Sequence, residues 1–171
     1  PLLAKGNAHF VSFDAASAES VLAAAKTVLA SGDTLDALVN NAGIALSAPL
    51  AKTSTEDFLR IQAVNVTAPF LLTRELLPAL VKAKGRVVNI CSTAAKKGFK
   101  YTAAYCTSKH ALLGMTRALA VELANKHVTV NAVSPGWTDT DMLAASIEKI
   151  AGSTGRSATD ARAALESMNP M

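Results

Sequence analysis

The chain has few of the residues that build disulfide scaffolds and metal centres. It contains two cysteines and three scattered histidines among 171 residues, which indicates neither a disulfide framework nor a metal site. Cys91 and Cys106 are expected to be small packing groups in a reducing compartment. Oxidation of these cysteines near the active site is the alternative.

Long hydrophobic runs and a strong charge imbalance are missing as well. No apolar run reaches the ~18 residues of a membrane span, and residues 1–5 do not look like a secretory signal. The net charge is +4, and its main cluster is Lys96, Lys97 and Lys100, which we interpret as a solvated loop rather than a nucleic-acid surface. We expect a cytoplasmic protein without a membrane or nucleic-acid partner.

The apolar residues predict alternating strands and helices. Half of the residues are hydrophobic, and their spacing predicts strands over 9–13, 35–40, 86–91 and 127–133. Helices are predicted over 16–30, 53–81 and 101–125, the second of them opened by the capping-box spacing of Thr53 and Glu56. This alternation indicates an α/β fold with a parallel sheet and helical crossovers.

The second predicted helix contains a proline at position 69. Because Pro69 has no N–H, the carbonyl of Asn65, four residues earlier, loses its helical partner, and the helix should be interrupted there. A tolerated kink in a core helix is the alternative. Asn65 is therefore a candidate site residue.

Tyr105 and Lys109 are four residues apart on a predicted helix, and Ser92 lies thirteen residues upstream at the end of a strand. An i,i+4 pair brings the lysine ammonium near the phenol. A cation ~4 Å away at an effective dielectric of ~20 supplies ~4 kcal/mol, which would lower the pKa of Tyr105 from ~10 to about 7. The pair alone is weak evidence, because such neighbours are common on helix surfaces.

Further motifs occur in register with this trio: Asn-Asn-Ala-Gly at 40–43, Asn-Val-Thr at 65–67 and Pro-Gly-Trp-Thr-Asp-Thr at 135–140. With them the chain resembles the short-chain dehydrogenase/reductase family, and most closely its bacterial 3-oxoacyl and polyketide ketoreductases. The resemblance implies a Rossmann-like three-layer parallel sheet with helices on both faces. It also implies an oxidoreductase that transfers hydride between NAD or NADP and a carbonyl or secondary alcohol.

The resemblance also implies a role for each matching residue. Ser92 would donate a hydrogen bond to the substrate oxygen, Tyr105 would be the general acid or base, and no metal would be needed. Lys109 would lower the pKa of Tyr105 and hold the nicotinamide ribose, and Asn65 would anchor a relay water. The implied cofactor contacts, besides Tyr105 and Lys109, are Asp14, Asn41, Ala42, Gly43, Pro135, Gly136, Thr138 and Thr140. Asn41 and Gly43 could instead serve only sheet and turn geometry.

Substrate and assembly are implied more loosely. Residues 137–169 would be a substrate lid whose apolar residues suit a hydrophobic ketone or acyl thioester, although the same residues could face the core of short helices. The loop with Lys96 and Lys97 could meet phosphates of a coenzyme A or carrier-protein thioester. The long helices would pair subunits into a homodimer or homotetramer.

One family feature is missing from the sequence. None of the nine glycines forms the Gly-rich turn that cradles the dinucleotide pyrophosphate. We expect a partial Rossmann-like domain over 1–171, truncated at both ends, with the first two strands and the last strand absent, and expect the isolated polypeptide to be unstable and inactive. A non-catalytic fragment or interaction protein is the alternative.

Overall fold

The computed structural model describes residues 8–167, and the chain divides into two compact units, Pro1–Val133 and Ser134–Met171. The single domain over 1–171 and the lid over 137–169 stay predictions, and residues 168–169 of that lid lie outside the described residues. The first unit contains, in chain order, α1 (Ala18–Ala30), β1 (Ala37–Asn40), α2 (Thr55–Gln62), α3 (Ala68–Ala83), β2 (Arg86–Ile90), α4 (Ala103–Glu122) and β3 (Thr129–Val133). The second unit contains α5 (Asp141–Thr154) and α6 (Ala158–Glu166).

The three strands form one parallel sheet in the order β1-β2-β3, with Asn40 beside Asn89. The predicted α/β class with a parallel sheet is therefore confirmed. Side chains on one face of the sheet reach both long helices, since Asn40 bonds to Thr73 of α3 and Asn89 bonds to Thr116 of α4. Parallel strands joined by helical crossovers bring their carboxyl ends to one edge, where ligands bind in open α/β sheets.

The main core lies between this face of the sheet and the helices. Leu80 of α3, Val87 of β2 and Leu123 just after α4 are fully buried there. On the opposite face of the sheet, Val39 and Val133 are 56% and 49% exposed. The helical stretch Thr55–Ala83 is long and apolar enough to cross a membrane by length and composition, yet half of its apolar window is buried inside the structure.

The predicted strand over 9–13 is wrong in the described structure. An extended segment becomes a strand only when a neighbour completes its ladder of hydrogen bonds, and no strand of the described sheet pairs with these residues. Phe10 is 78% exposed as a result. The apolar pattern identified a hydrophobic segment but could not supply its partner.

The predicted start of the second helix is one residue early. Ser54, not Thr53, is the N-cap, because its hydroxyl accepts a hydrogen bond from Asp57 N at 3.0 Å and donates to the Asp57 carboxylate at 2.7 Å. Asp57 therefore holds the N-terminal position predicted for Glu56, with its carboxylate accepting from the Ser54 hydroxyl. Two overlapping Ser/Thr-x-x-acid patterns are present in the sequence, and only the geometry distinguishes them.

The helix interruption predicted at Asn65 is present. Residues Ala63–Thr67 form a π-turn between α2 and α3, in which Ala68 N donates to the carbonyl of Ala63, five residues earlier. Pro69 cannot donate to Asn65, and a wider turn accommodates the missing bond. The interruption turns Asn65 inward, where it is completely buried.

The second unit is a helical hairpin with its own small core. Leu143 and Ile147 of α5 pack against Ala161 and Leu165 of α6. The apolar residues Leu143 and Ile147 therefore occupy core-facing positions of short helices, the second of the two alternatives stated for this segment.

Candidate active site

Ser92 and Tyr105 lie at the carboxyl edge of the sheet. Ser92 is the second residue after β2 and caps a short 3-10 turn, because its Oγ accepts a hydrogen bond from Ala94 N at 3.1 Å. Tyr105 lies in the first turn of α4. The two side chains are close enough for the Ser92 hydroxyl to lower the pKa of Tyr105. The structure thus brings together a strand end and a helix start that are thirteen residues apart in sequence.

Lys109 lies one turn after Tyr105 on the same helix and is 96% buried. Its Nζ donates to the carbonyl of Ile90 at 2.8 Å and lies 5.8 Å from the centroid of the Tyr105 ring. Burial lowers the pKa of Lys109 because the interior solvates its charge poorly. The bond to Ile90 is what keeps the ammonium at the end of β2.

The expected lowering of the Tyr105 pKa by Lys109 alone is wrong for this structure. Burial raises the pKa of Tyr105 above its ordinary value, the Ser92 hydroxyl opposes that rise, and the nearby thiols of Cys106 and Cys91 add to it. The prediction placed a cation about 4 Å from the phenol and left out the desolvation of the phenol. In the structure the ammonium is directed at the Ile90 carbonyl, and burial is the largest influence.

Asn65 connects the π-turn to the loop after β1. Its Oδ1 accepts from Ile44 N at 2.9 Å and its Nδ2 donates to the Ile44 carbonyl at 2.9 Å, so the side chain pairs with both backbone groups of one residue. Nδ2 also donates to Ser108 Oγ at 3.0 Å. Asn65 therefore contacts both the loop after β1 and helix α4, and these three hydrogen bonds fix the orientation of its amide.

Gly43 lies between two of the predicted catalytic residues. A Cβ built on Gly43 would stand 3.4 Å from Asn65 Oδ1 and 3.5 Å from Lys109 Nζ. The structure therefore brings Gly43, Asn65 and Lys109 together, and a side chain at position 43 would cover part of both polar groups.

Two of the predicted cofactor residues of the first unit border a small cavity. Asn41 and Ala42 line a cavity of about 70 Å³ together with Phe13 and Ala15, the neighbours of Asp14. Asn40 also lines it, and its Oδ1 is buried without a hydrogen-bond partner. The carboxylate of Asp14 accepts from Ala16 N at 2.8 Å and does not line the cavity. This cavity is well below the ~300–1,000 Å³ of ligand pockets.

The remaining predicted cofactor residues belong to the second unit. Thr138 Oγ1 donates to the Gly136 carbonyl at 3.5 Å, Thr140 Oγ1 donates to the Thr138 carbonyl at 3.2 Å, and Thr140 is the N-cap of α5. These contacts define a tight turn that begins after Pro135. The cofactor roles of Pro135, Gly136, Thr138 and Thr140 stay predictions.

Sequence reasoning missed the polar groups that hold the site elements together. Ser108, which lies between Tyr105 and Lys109 in sequence, is completely buried, and so is Asn89 on β2. Asn89 accepts from Asn40 Nδ2 at 2.8 Å and donates to Thr116 Oγ1 at 2.9 Å, which ties both strands to α4. An Asn inside an apolar strand and a Ser on the buried face of a helix were the available signals.

The basic loop after Ser92 is interleaved with aromatic residues. Lys97 Nζ lies 5.1 Å from the Phe99 ring and Lys100 Nζ lies 4.8 Å from the Tyr101 ring, both within cation–π range. Tyr101 has a left-handed backbone with φ of 65°, and its carbonyl accepts from Ala48 N at 2.8 Å. The loop is therefore tied to the segment that follows β1. Within residues 8–167, no three His, Cys, Asp or Glu residues converge as metal ligands.

Comparison with known proteins identifies the family. The family model for short chain dehydrogenases matches residues 2–151. A putative ketoacyl reductase of the granaticin polyketide synthase from Streptomyces violaceoruber is 43% identical over 122 residues, which cover 70% of this chain and 45% of that protein. The 3-oxoacyl-(acyl-carrier-protein) reductase FabG of Aquifex aeolicus is 40% identical over 144 residues, 84% of this chain and 58% of that protein.

Solved structures agree with this match. The crystal structure of an actinorhodin polyketide ketoreductase variant with NADPH has a TM-score of 0.86 at 35% identity, covering 94% of this chain and 63% of that chain. Sorbitol-6-phosphate 2-dehydrogenase from Erwinia amylovora has a TM-score of 0.83 at 29% identity, covering 91% and 62%. The chain spans about half the length of the curated relatives it matches. It belongs to the short-chain dehydrogenase family.

Proposed function

We propose that this chain carries the catalytic residues of an NAD(P)-dependent oxidoreductase that interconverts a ketone and a secondary alcohol. The observation that supports this most directly is the group of half-buried Ser92, half-buried Tyr105 and buried Lys109 at the carboxyl edge of a parallel sheet. Asn65 stands beside them on the π-turn. The family match makes hydride transfer the expected chemistry of this group.

The residues present fit part of a nicotinamide dinucleotide. The unpartnered Asn40 Oδ1 and the cavity beside Asn41 and Ala42 suit the amino and ring edges of an adenine, and Lys109 Nζ beside Gly43 suits ribose hydroxyls. The pyrophosphate has no Gly-rich turn in this sequence. When bound, the nicotinamide supplies or accepts the hydride.

The chain's own residues then have separable tasks. Ser92 donates a hydrogen bond to the substrate oxygen and polarises the carbonyl. Tyr105 donates the proton that the oxygen needs in reduction, and its raised pKa keeps the phenol protonated for that task. Lys109 Nζ, fixed on the Ile90 carbonyl, would donate its two remaining N–H groups to ribose hydroxyls, and a proton would return to the Tyr105 phenolate through such a hydroxyl.

A 3-oxoacyl thioester is the substrate we propose within this class. Two of the relatives described above are named as a ketoacyl reductase and a 3-oxoacyl-(acyl-carrier-protein) reductase. Lys96, Lys97 and Lys100 follow Ser92 closely in sequence, and Phe99 and Tyr101 hold two of these ammonium groups over their rings. Such a loop suits the phosphates of a coenzyme A or carrier-protein arm.

Assembly and location complete the proposal. We propose a cytoplasmic homodimer or homotetramer built on α2, α3 and α4. These helices carry exposed apolar side chains on the described surface, Phe58 and Leu59 on α2, Phe70 on α3 and Val121 on α4, and a two-fold axis would bury the same patch on both subunits. Sedimentation of the full-length protein at micromolar concentration should show no monomer. A monomer alone would contradict the assembly but not the chemistry.

The activity is tested by following NADPH oxidation in the full-length protein that carries this chain. Acetoacetyl-coenzyme A should be reduced with a lower KM than an uncharged ketone of the same reacting group. Substituting Lys96, Lys97 and Lys100 together by Gln should raise the KM for the coenzyme A substrate and leave that for the uncharged ketone unchanged. The alternative, an interaction protein that keeps the motifs without a complete dinucleotide pocket, predicts no turnover of either ketone.

A further inference from the structure

Ser108 lies between Tyr105 and Lys109 in sequence, and its side chain has no solvent exposure. We propose that Ser108 is a positioning residue: its hydroxyl fixes the amide of Asn65 and ties the π-turn to the catalytic helix. The inference rests on the proposed function for its activity readout, and on the hydrogen bonds of the described residues for its structural content.

The hydroxyl of Ser108 is used in both directions. It donates to the carbonyl of Tyr105 at 2.8 Å and accepts from Asn65 Nδ2 at 3.0 Å. A hydroxyl has one proton to donate, so the bond to Tyr105 leaves its lone pairs directed away from its own helix. Asn65 Nδ2 approaches on that side. The backbone of the catalytic tyrosine thereby orients the serine that receives the asparagine.

Asn65 depends on this acceptor for its second N–H. One N–H of Nδ2 pairs with the Ile44 carbonyl, and the other meets Ser108 Oγ. Asn65 is completely buried, so an N–H without an acceptor there would have no water to replace it. Removing the Ser108 hydroxyl therefore strains the amide that also holds Ile44, the residue after Gly43.

Three site elements meet at this pair of side chains. Asn65 belongs to the π-turn, Ile44 to the loop after β1, and Ser108 to α4. Gly43 of that loop faces both Asn65 Oδ1 and Lys109 Nζ. Loss of the Ser108 hydroxyl should therefore shift the π-turn relative to Tyr105 without touching substrate, which predicts a loss in kcat rather than in substrate KM.

The test is a double-mutant cycle between Asn65 and Ser108 in the full-length protein. Ser108→Ala should lower kcat about five- to tenfold, the factor expected from one net hydrogen bond, with the KM for ketone within twofold. Thr107→Ala is the matched control, since Thr107 Oγ1 makes the same kind of bond to its own helix, to the Ala103 carbonyl at 2.9 Å, but is exposed. Its kcat should be unchanged.

The cycle separates the proposal from its rivals. If Ser108 acts through Asn65, the double variant Asn65→Ala with Ser108→Ala has the kcat of Asn65→Ala alone, and the shifts in thermal midpoint are less than additive. The proposal is overturned if the effects of the two substitutions add up in both kcat and thermal midpoint. It is also overturned if Ser108→Ala leaves kcat unchanged. If wild-type protein reduces no ketone, the proposed function fails, and the thermal midpoints alone decide the link.

Discussion

Gly43 offers a way to perturb the proposed coenzyme site while leaving the catalytic side chains in place. A methyl group on Gly43 would lie 3.5 Å from Lys109 Nζ and 3.4 Å from Asn65 Oδ1. Gly43 does not have a positive φ, so alanine is compatible with the backbone. The substitution Gly43→Ala should therefore act on what approaches Lys109 rather than on the fold.

The size of the effect follows from these distances. A Gly to Ala change at a compatible φ raises the free energy of unfolding by ~0.4–1 kcal/mol, because it lowers the conformational entropy of the unfolded chain. The contact of the new methyl group with Asn65 Oδ1 offsets part of this gain. The free energy of unfolding should therefore change by less than ~1 kcal/mol. Covering one direction of approach to the ammonium should remove one charge-assisted hydrogen bond to the coenzyme, ~1.5–3 kcal/mol. At 1.4 kcal/mol per decade, the Kd for NADPH should rise ~10–100-fold.

Calorimetric titration of NADPH into wild-type protein and Gly43→Ala measures this directly, with thermal unfolding of both as a check on the fold. Gly98→Ala is the control, because a Cβ at Gly98 meets no heavy atom within 4 Å. A Kd within twofold of wild type in a stable Gly43→Ala protein would refute the placement of the coenzyme beside Lys109.

Two further predictions concern stability. Gly85→Ala places a Cβ 2.6 Å from the Leu35 carbonyl oxygen and 3.0 Å from the Asp36 carbonyl oxygen. The free energy of unfolding, measured in urea, should therefore fall by ~1–3 kcal/mol. A fall no larger than that of Gly98→Ala would contradict this packing. Burial lowers the pKa of Lys109 in the folded protein below its ordinary value of 10.5. Between the lowered pKa and 10.5 the unfolded chain binds more protons than the folded one, so the free energy of unfolding should rise with pH in that range. Urea unfolding of Lys109→Met should lack that rise, and identical pH profiles for the two proteins would argue against a buried charge.

Sequence reasoning succeeded where the cause was local and covalent. Pro69 lacks an N–H in any environment, so the interruption at Asn65 could be placed from the sequence. The spacing of Tyr105 and Lys109 likewise fixed their common helix face. The parallel sheet was also predicted correctly, because the alternation of strand-like and helix-like apolar segments is visible in the sequence itself.

Sequence reasoning failed where the structure of a segment, or the pKa of a side chain, depends on residues that are distant in sequence. The segment 9–13 has strand-like residues and no described neighbour to pair with. The pKa of Tyr105 depends on burial and on Ser92, and neither is readable from the spacing to Lys109. Ser108 owes its importance to Asn65, 43 residues away. These are properties of packing and not of the motif.

The central claim is that Tyr105 is the proton donor of a ketone reductase, and the chain provides its own control. It has two tyrosines, Tyr101 and Tyr105, of which Tyr101 is half exposed and Tyr105 lies beside Ser92. The decisive measurement is kcat for NADPH-dependent reduction of acetoacetyl-coenzyme A in wild type, Tyr101→Phe and Tyr105→Phe of the full-length protein. Tyr105→Phe should lose ~10²–10⁴ in kcat while Tyr101→Phe stays within threefold of wild type. Equal activity in the two variants would contradict the account.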